Sequence, residues 1–412
     1  MNNIGIIAEY NPFHNGHLYH LNETKKLGQA DHIIAVMSGD FTQRGEPALY
    51  DKWIRAQMAV KNGVDLVIEL PFVFACNNAE YFSMGGIHIL NGLGCVSHFS
   101  FGSEHGELES LQRVAEILVD EGPEFKKAIK YFLDRGCSYP RARFEALKEI
   151  EGEETAALIR DPNNILAVEY LKQWIRSGRR MKPMAVKRVG KGYHDRNISH
   201  PLASATAIRQ EIAQNQDMDK VKQAIPEPTL DTIESTLQTP VTDPSPLFTM
   251  LVYKILTTPN EVLGEILSAG EGLENKLKKA IVKSRNMEEL IGSVLSKRYT
   301  ETRIKRLLLH TLTSLTKKEF FEIVDELPLY ARVLGFSPDG ARLLRHIKQT
   351  GCASFPVISN INKEVTQSDP LWKILRYDVL AADLYNLAFN NEIYTRSDYV
   401  CSPGLWGDYA RT

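Results

Sequence analysis

The chain has 412 residues, 43% hydrophobic and 24% charged, with a formal net charge of −2. That balance excludes collagen, coiled coil and wholesale disorder, and it excludes a globally basic nucleic-acid binder; any nucleic-acid contact must come from local patches. Five scattered cysteines, Cys76, Cys95, Cys137, Cys352 and Cys401, show no C-x-x-C spacing. A cysteine-based zinc site is therefore not expected, and the set suits a reducing compartment. No signal-peptide pattern opens the chain, and no run reaches the ~18 apolar residues of a membrane helix. A cytoplasmic protein is expected, with no membrane association and no protein partner implied.

In chain order, residues 4–8 form a short apolar run that predicts a buried strand, and residues 17–27 a helix. A second strand is predicted over 32–38, a helix over 50–62, a third strand over 64–70 and a fourth over 95–101. Strands alternating with helices predict an α/β fold with a parallel sheet covered on both faces. Helices are predicted over 108–134, 141–151 and 163–175, a strand over 184–189, and a helix opening at Ser204. From Pro226 to Pro246 there are five prolines, four acidic residues and no lysine or arginine, a linker or boundary signal. Beyond it the pattern is mainly helical: 247–256, 260–267, 273–284, 287–295, 302–315 and 317–323. A strand-like piece at 355–358 and a helix to about 387 close the chain. The expected units are 1–225, a linker at 226–246, and a mainly helical domain at 247–412.

Two motifs carry chemistry. The first, Glu9-Tyr10-Asn11-Pro12-Phe13-His14-Asn15-Gly16-His17, sits where strand one gives way to helix one. A helix N-terminus offers unpaired N–H groups and partial positive charge to a phosphate, and Gly16 permits close approach. His14 and His17, three apart, can face one phosphoryl group as donors; the alternative is a pair of surface histidines at a cap. The second motif is Ser204-Ala205-Thr206-Ala207-Ile208-Arg209. Its hydroxyls can cap a helix or hold phosphate oxygens, and Arg209 can reach the same phosphates. Asp40, Arg44 and Glu46 follow strand two; Asp40 either orients a substrate or magnesium, or caps a turn.

Together the motifs resemble the nucleotidylyltransferase superfamily. Longer blocks sharpen the resemblance: residues 5–21, 38–48, 101–104 (FGSE), 163–171 (NNILAVEYL), 186–195 (VKRVGKGYHD) and 296–306 (SKRYTETRIKR). With these the chain resembles the bacterial tRNA(Met) cytidine acetate ligase family. The resemblance implies a Rossmann-like nucleotidylyltransferase domain of ATP-binding type at 1–225, followed by a mostly α-helical C-terminal domain for tRNA. It implies that acetate and ATP form acetyl-adenylate, and that acetyl passes to N4 of the wobble cytidine of elongator tRNA(Met). It implies an ATP loop of Ile7, Ala8, Glu9, Tyr10, Asn11, Pro12, Phe13, His14, Asn15, Gly16, His17, Leu18, Tyr19 and His20, with further contacts at Gly102, Asn163 and Arg188. His14, His17, Thr206 and Arg209 would carry catalysis. Magnesium is expected on the phosphates, as at other ATP sites, without a protein metal site. Ala205 departs from the superfamily, where many members carry a second serine, so Thr206 and Arg209 hold more weight than the whole motif.

Two basic clusters stand out in this slightly acidic chain. Residues 172–196 hold nine Lys/Arg and one acid; residues 276–306 hold ten Lys/Arg and three acids. Phosphate contacts need such concentration. Candidate tRNA contacts are Arg179, Arg180, Lys191, Arg196, Lys297, Arg298, Arg303, Lys305 and Arg306. Tyr193 and Tyr299 are candidates for base stacking, and Arg141 and Arg143 for extending the surface. Solvated basic helix faces are the alternative. Two rival functions use the same residues: adenylylation of a small coenzyme precursor, and non-enzymatic RNA binding.

Overall fold

The computed structural model describes residues 1–104, 106–189, 201–214, 218–296, 298–326, 330–389 and 397–406. Its centre is a sheet built on β1 (Asn3–Ala8), β2 (His32–Ser38), β3 (Leu66–Leu70), β4 (Val96–Ser103) and β5 (Lys182–Lys187). Three more strands come late in the chain: β6 (Ala331–Phe336), β7 (Val357–Ile358) and β8 (Gly404–Leu405). The spatial order is β5-β4-β1-β2-β3-β6-β7, with β8 also on β6. The first five strands are mutually parallel, as expected.

Both sheet faces are covered because the strand side chains alternate. On β2, Ile33, Ala35 and Met37 join one core with the helices Asn15–Gly28 and Lys52–Lys61. Ile34 and Val36 join the other, with Ala79–Gly92, Leu108–Asp120 and Pro162–Arg176. Nearly continuous apolar strands are what two-sided burial demands. The helix Ala79–Gly92, which the apolar pattern did not announce, carries Gly85 and Gly86 where a Cβ would meet Phe74 at 2.7 Å and Ile7 at 2.5 Å.

Three differences from expectation matter. The single helix expected over 108–134 is two, Leu108–Asp120 and Pro123–Asp134, because Glu121 turns left-handed (φ 40°) ahead of Gly122-Pro123. The proline-rich stretch holds a helix, Glu227–Ser235, whose Thr229 hydroxyl accepts from Asn62 Nδ2 at 2.9 Å. After it, Val241 N–H donates to Leu49 O at 2.8 Å, so this stretch is laid against the sheet-bearing part. Finally, β6 was unexpected in a helical tail, and it pairs antiparallel with β3. Its register sets Arg332 beside Glu69, and both join Lys52 and Asp398 in a buried cluster of two cations and two carboxylates with contacts of 2.8–3.0 Å.

Past residue 244 the chain is mostly helical. Ser245–Thr257, Leu273–Ile281, Met287–Val294 and Glu301–Thr313 share the same core as one face of the sheet. The last of these brings its first two turns to the carboxyl edge of the sheet. There the loop 41–48 meets it at Gly45 (φ 77°), where a Cβ would lie 2.5 Å from Arg306 N.

Candidate active site

From β1 the chain moves outward through β2 to β3, then returns to place β4 on the other side of β1. That reversal is a topological switch point, and ligands bind at the carboxyl ends of the strands beside it. A cavity of about 730 Å³ lies there, lined from β1, β4, β5 and the loops that follow them.

Beyond β1 the chain makes a tight corner. Tyr10 is left-handed (φ 48°), Asn11-Pro12 is cis, and His14 caps the helix Asn15–Gly28. Tyr10 and Phe13 are buried with ring centroids 4.8 Å apart, and both abut the ring of His17. The fully buried Arg55 holds this corner from beneath. It donates to Glu9 O at 2.5 Å, Ser38 O at 3.1 Å, Tyr50 O at 3.0 Å and Gly39 O, joining the carboxyl ends of β1 and β2.

His14 Nδ1 accepts from Gly16 N–H at 3.0 Å, and His17 Nδ1 accepts from His14 N–H at 3.3 Å. The two rings stack at 3.7 Å. A neutral imidazole has one donor and one acceptor nitrogen. With both Nδ1 atoms accepting, Nε2 is the N–H donor on each ring. Burial, then the nearby Arg188 and Arg209, push His14 down to about 3. Burial, then His14 and Arg188, hold His17 well below the usual range. The pair is therefore neutral at pH 7 in the free protein. It offers two aligned N–H donors beside a helix N-terminus, an arrangement suited to charge building on a phosphoryl oxygen.

The opposite wall is built from β4, β5 and the helix Pro162–Arg176. Asn164, fully buried, accepts from Ser103 Oγ at 3.0 Å and Glu104 N at 3.2 Å. Glu104 Oε1 accepts from Asn163 Nδ2 at 2.5 Å and lies 3.4 Å from Arg188 Nε. Arg188 N–H donates to Ser103 O at 2.9 Å, which carries β5 pairing to the cavity rim. The third wall is the helix Ala205–Gln214. Ser204 Oγ accepts from Ala207 N at 3.1 Å, a capping bond, while Arg209 donates to Asn11 O at 2.9 Å and to Thr206 Oγ1 at 3.4 Å. Thr302 and Arg306 close the cavity from the helical tail. Among the described residues Arg44, Lys187, Arg188, Arg209 and Arg306 line it against Glu9 and Glu46, a cationic lining suited to an anion.

A family model described as HIGH Nucleotidyl Transferase matches residues 1–399. A tRNA(Met) cytidine acetate ligase of Thermoanaerobacter pseudethanolicus is 42% identical over 401 residues, covering 96% of this chain and 98% of the relative. The chain belongs to the tRNA(Met) cytidine acetate ligase family, within the HIGH nucleotidyl transferases. The ligase of that name from Acetivibrio thermocellus is 39% identical over 406 residues, covering 96% and 97%. Among solved structures, Thermotoga maritima TmcAL in its apo form superposes with a TM-score of 0.92 at 31% identity, covering 98% of this chain and 99% of that one. The same protein bound with alpha-thio ATP gives 0.89 at 31% identity and the same coverage.

For this ligase-family chain, Ile7, Ala8, Glu9, Tyr10, Asn11, His14, Gly16, His17, Tyr19 and His20 face the cavity. Gly102, Asn163, Arg188, Thr206 and Arg209 do as well. Phe13 and Leu18 are packed into the core behind the loop, and Asn15 turns away to donate to Pro201 O and Gln223 O. Pro12 shapes the corner through its cis bond. His20 Nε2 lies 3.0 Å from Ser100 Oγ, and burial followed by Arg188 takes it down to about 4. Asp40 is buried and accepts from Lys52 N at 2.7 Å, tying the loop after β2 to the first residue of the helix Lys52–Lys61, whose N-cap is Asp51.

The basic clusters divide. Lys187 and Arg188 from the first and Arg306 from the second share the cavity. Arg179 and Arg180 precede β5 and therefore stand at the opposite edge of the sheet, separated from Arg188 by the whole strand, roughly 20 Å long. Arg179 is paired with Glu116 at 2.9 Å, Arg298 with Glu271 at 3.7 Å, and Lys305 with Glu46 and Glu301 at 2.6 Å. Arg141 and Arg143 pair with Glu145 and Glu169. Tyr299 is not available for stacking: it is buried, its hydroxyl donates to Glu271 O at 2.7 Å, and Arg303 covers its ring. Lys191, Tyr193, Arg196 and Lys297 lie outside the described residues. Sequence reasoning missed Arg55 and Glu104, whose roles arise from contacts distant in the chain; the FGSE block was the one visible sign of Glu104. Among the described residues no helix is long and apolar enough to cross a membrane.

Proposed function

We propose that the protein activates acetate with ATP and transfers the acetyl group to N4 of the wobble cytidine of elongator tRNA(Met). The observation that carries this reading is the stacked His14–His17 pair, with Nε2–H on both rings, at a cationic switch-point cavity. Support comes from ligase relatives that match almost the whole chain, tail included, and from a similar structure bound with alpha-thio ATP.

In the first step an acetate oxygen attacks the α-phosphorus in line, and the bond from that phosphorus to the β-bridging oxygen breaks. Pyrophosphate leaves with the electron pair. Acetate is a weak nucleophile, so the rate comes from positioning and charge stabilisation. His14 and His17 donate to the α-phosphoryl oxygens, while Arg209 and Thr206 hold the departing pyrophosphate. Asn163 and Arg188, set by Glu104, hold the nucleotide end. In the second step N4 attacks the acetyl carbon, AMP leaves with the electron pair, and N4 loses one proton. The base must be splayed from its stack to reach the cavity. Arg306 lines that cavity, so it is the cluster residue we assign to tRNA.

Magnesium enters this scheme only on the phosphates. Among the described residues no group of three or more His, Cys, Asp or Glu is gathered for a metal. The cavity's carboxylates are engaged, Glu9 by Gln43 N–H at 2.8 Å and Glu46 by Lys305. The charge neutralisation on the protein side is assigned to the arginines.

The test combines purified protein, ATP, magnesium, radiolabelled acetate and total bacterial tRNA, followed by nucleoside digestion. ATP-dependent label in N4-acetylcytidine is expected, and His17→Ala should abolish pyrophosphate release. Undiminished release by that variant would remove the histidine role. Release that needs a coenzyme precursor instead of acetate and tRNA would overturn the function.

A further inference from the structure

A second cavity, of about 290 Å³, adjoins the first and shares Glu46, Thr206 and Arg209 with it. Its floor is aliphatic: Val241, Leu251, Met287, Ile291, Leu308 and Leu309. These come from the segment laid along Leu49 and from three helices of the tail, so the space is a seam between the sheet-bearing part and the helical part. Its size is near the lower end of small-molecule pockets, ~300–1,000 Å³.

The distribution of chemistry selects the occupant. Among the described residues the lining has no aromatic face on which a base would stack, and three of its polar side chains, Glu46, Thr206 and Arg209, are shared with the first cavity. Lys305 is already matched by Glu46 and Glu301. Arg209, in contrast, donates among the described residues to neutral oxygens, those of Asn11 and Thr206. A guanidinium at one end of an aliphatic slot matches a molecule with one carboxylate and a short hydrocarbon chain.

We propose that this seam binds a medium-chain monocarboxylate, with its chain among Leu251, Met287, Ile291 and Leu308 and its carboxylate on Arg209. The bound carboxylate occupies the group assigned to pyrophosphate and so competes with ATP, which makes the seam an inhibitory site for longer acids on an acetate-activating enzyme. The competition rests on the functional reading above; the binding does not.

Octanoate is the probe. At ten times its dissociation constant it should raise the apparent KM for ATP roughly tenfold in pyrophosphate release, with kcat unchanged. Met287→Trp fills the slot and Ile291→Glu sets a carboxylate in its floor; both should keep the ATP KM and lose the octanoate effect. Thermal stabilisation by octanoate, measured without ATP or acetate, reports binding even if the enzyme proves inactive on acetate, and it too should vanish in both variants. No stabilisation of the parent protein, or equal stabilisation of all three, would overturn the site. Octanoate competing with acetate instead of ATP would place it in the acetate pocket and equally refute the proposal.

Discussion

Gly16→Ala separates the histidine cap from the stability of the helix it caps. Gly16 is in the first turn of Asn15–Gly28, and a Cβ built there lies 2.8 Å from His14 Cε1 and 3.0 Å from Nδ1. The imidazole is the far end of a side chain, so it yields before the backbone does. Its movement breaks the Gly16 N–H bond to Nδ1 that fixes the tautomer. Loss of such a cap costs about 1 kcal/mol, while alanine in place of glycine returns up to about 1 kcal/mol of helix propensity. Stability should therefore change by less than about 1 kcal/mol. A misplaced transition-state donor, in contrast, costs roughly 2.7–4 kcal/mol, a hundredfold to thousandfold in rate. Urea unfolding and acetate-dependent pyrophosphate release on the same preparation decide the matter. A variant with the parent rate, or one whose activity falls only with its folded fraction, would refute the role given to the His14 ring.

Other consequences are equally open to measurement. His14 and His20 are held at about 3 and about 4 in the fold, below the ordinary ~6.5, so the unfolded chain takes up their protons first as pH falls. Their contribution is complete above about pH 6.5 and is lost towards pH 4, at a slope of at most about 1.4 kcal/mol per histidine per pH unit. The urea midpoint should fall between pH 7 and pH 5, and less steeply in His20→Gln; an identical slope in that variant would count against the assignment. Asp398→Asn removes one of the two carboxylates in direct contact with the buried Lys52 and Arg332, and denaturant titration should show a loss of about 3–5 kcal/mol. Gly45→Ala forces a left-handed residue against Arg306 N; a loss of roughly 1–3 kcal/mol and a raised KM for ATP are expected as Thr302 and Arg306 draw back.

Much of the catalytic half was legible because its signals are local. β1, β2 and β3 are short apolar runs ended by turn residues, and His14, Gly16 and His17 follow β1 directly. The parts that escaped are set by distant contacts. Ala79–Gly92 carries Gly85, Gly86 and Gly92, which read as loop residues; they are there because Phe74, Ile7 and Phe355 press on the helix backbone. β6 is six residues in a helical context, and its partners make it a strand: β3, more than 250 positions earlier, and the two-residue strands β7 and β8. Glu104 and Arg55 look like ordinary charged residues until the fold brings Asn163, Arg188 and the ends of β1 and β2 to them.

The late origin of β6 bears on how the molecule is made. As the chain emerges from the ribosome, β1 to β5 are complete long before residues 331–336 exist, and until then the outer edge of β3 has no hydrogen-bonding partner. An unpaired edge of Leu-Val-Ile-Glu-Leu is a template for another strand. Glu69, the fourth of those five residues, already has Lys52 as its cation, so it does not guard the edge as a free charge; Arg332 joins as a second cation only when β6 arrives. Nascent chains arrested before residue 331 should thus seek chaperones, and full-length release should end that dependence.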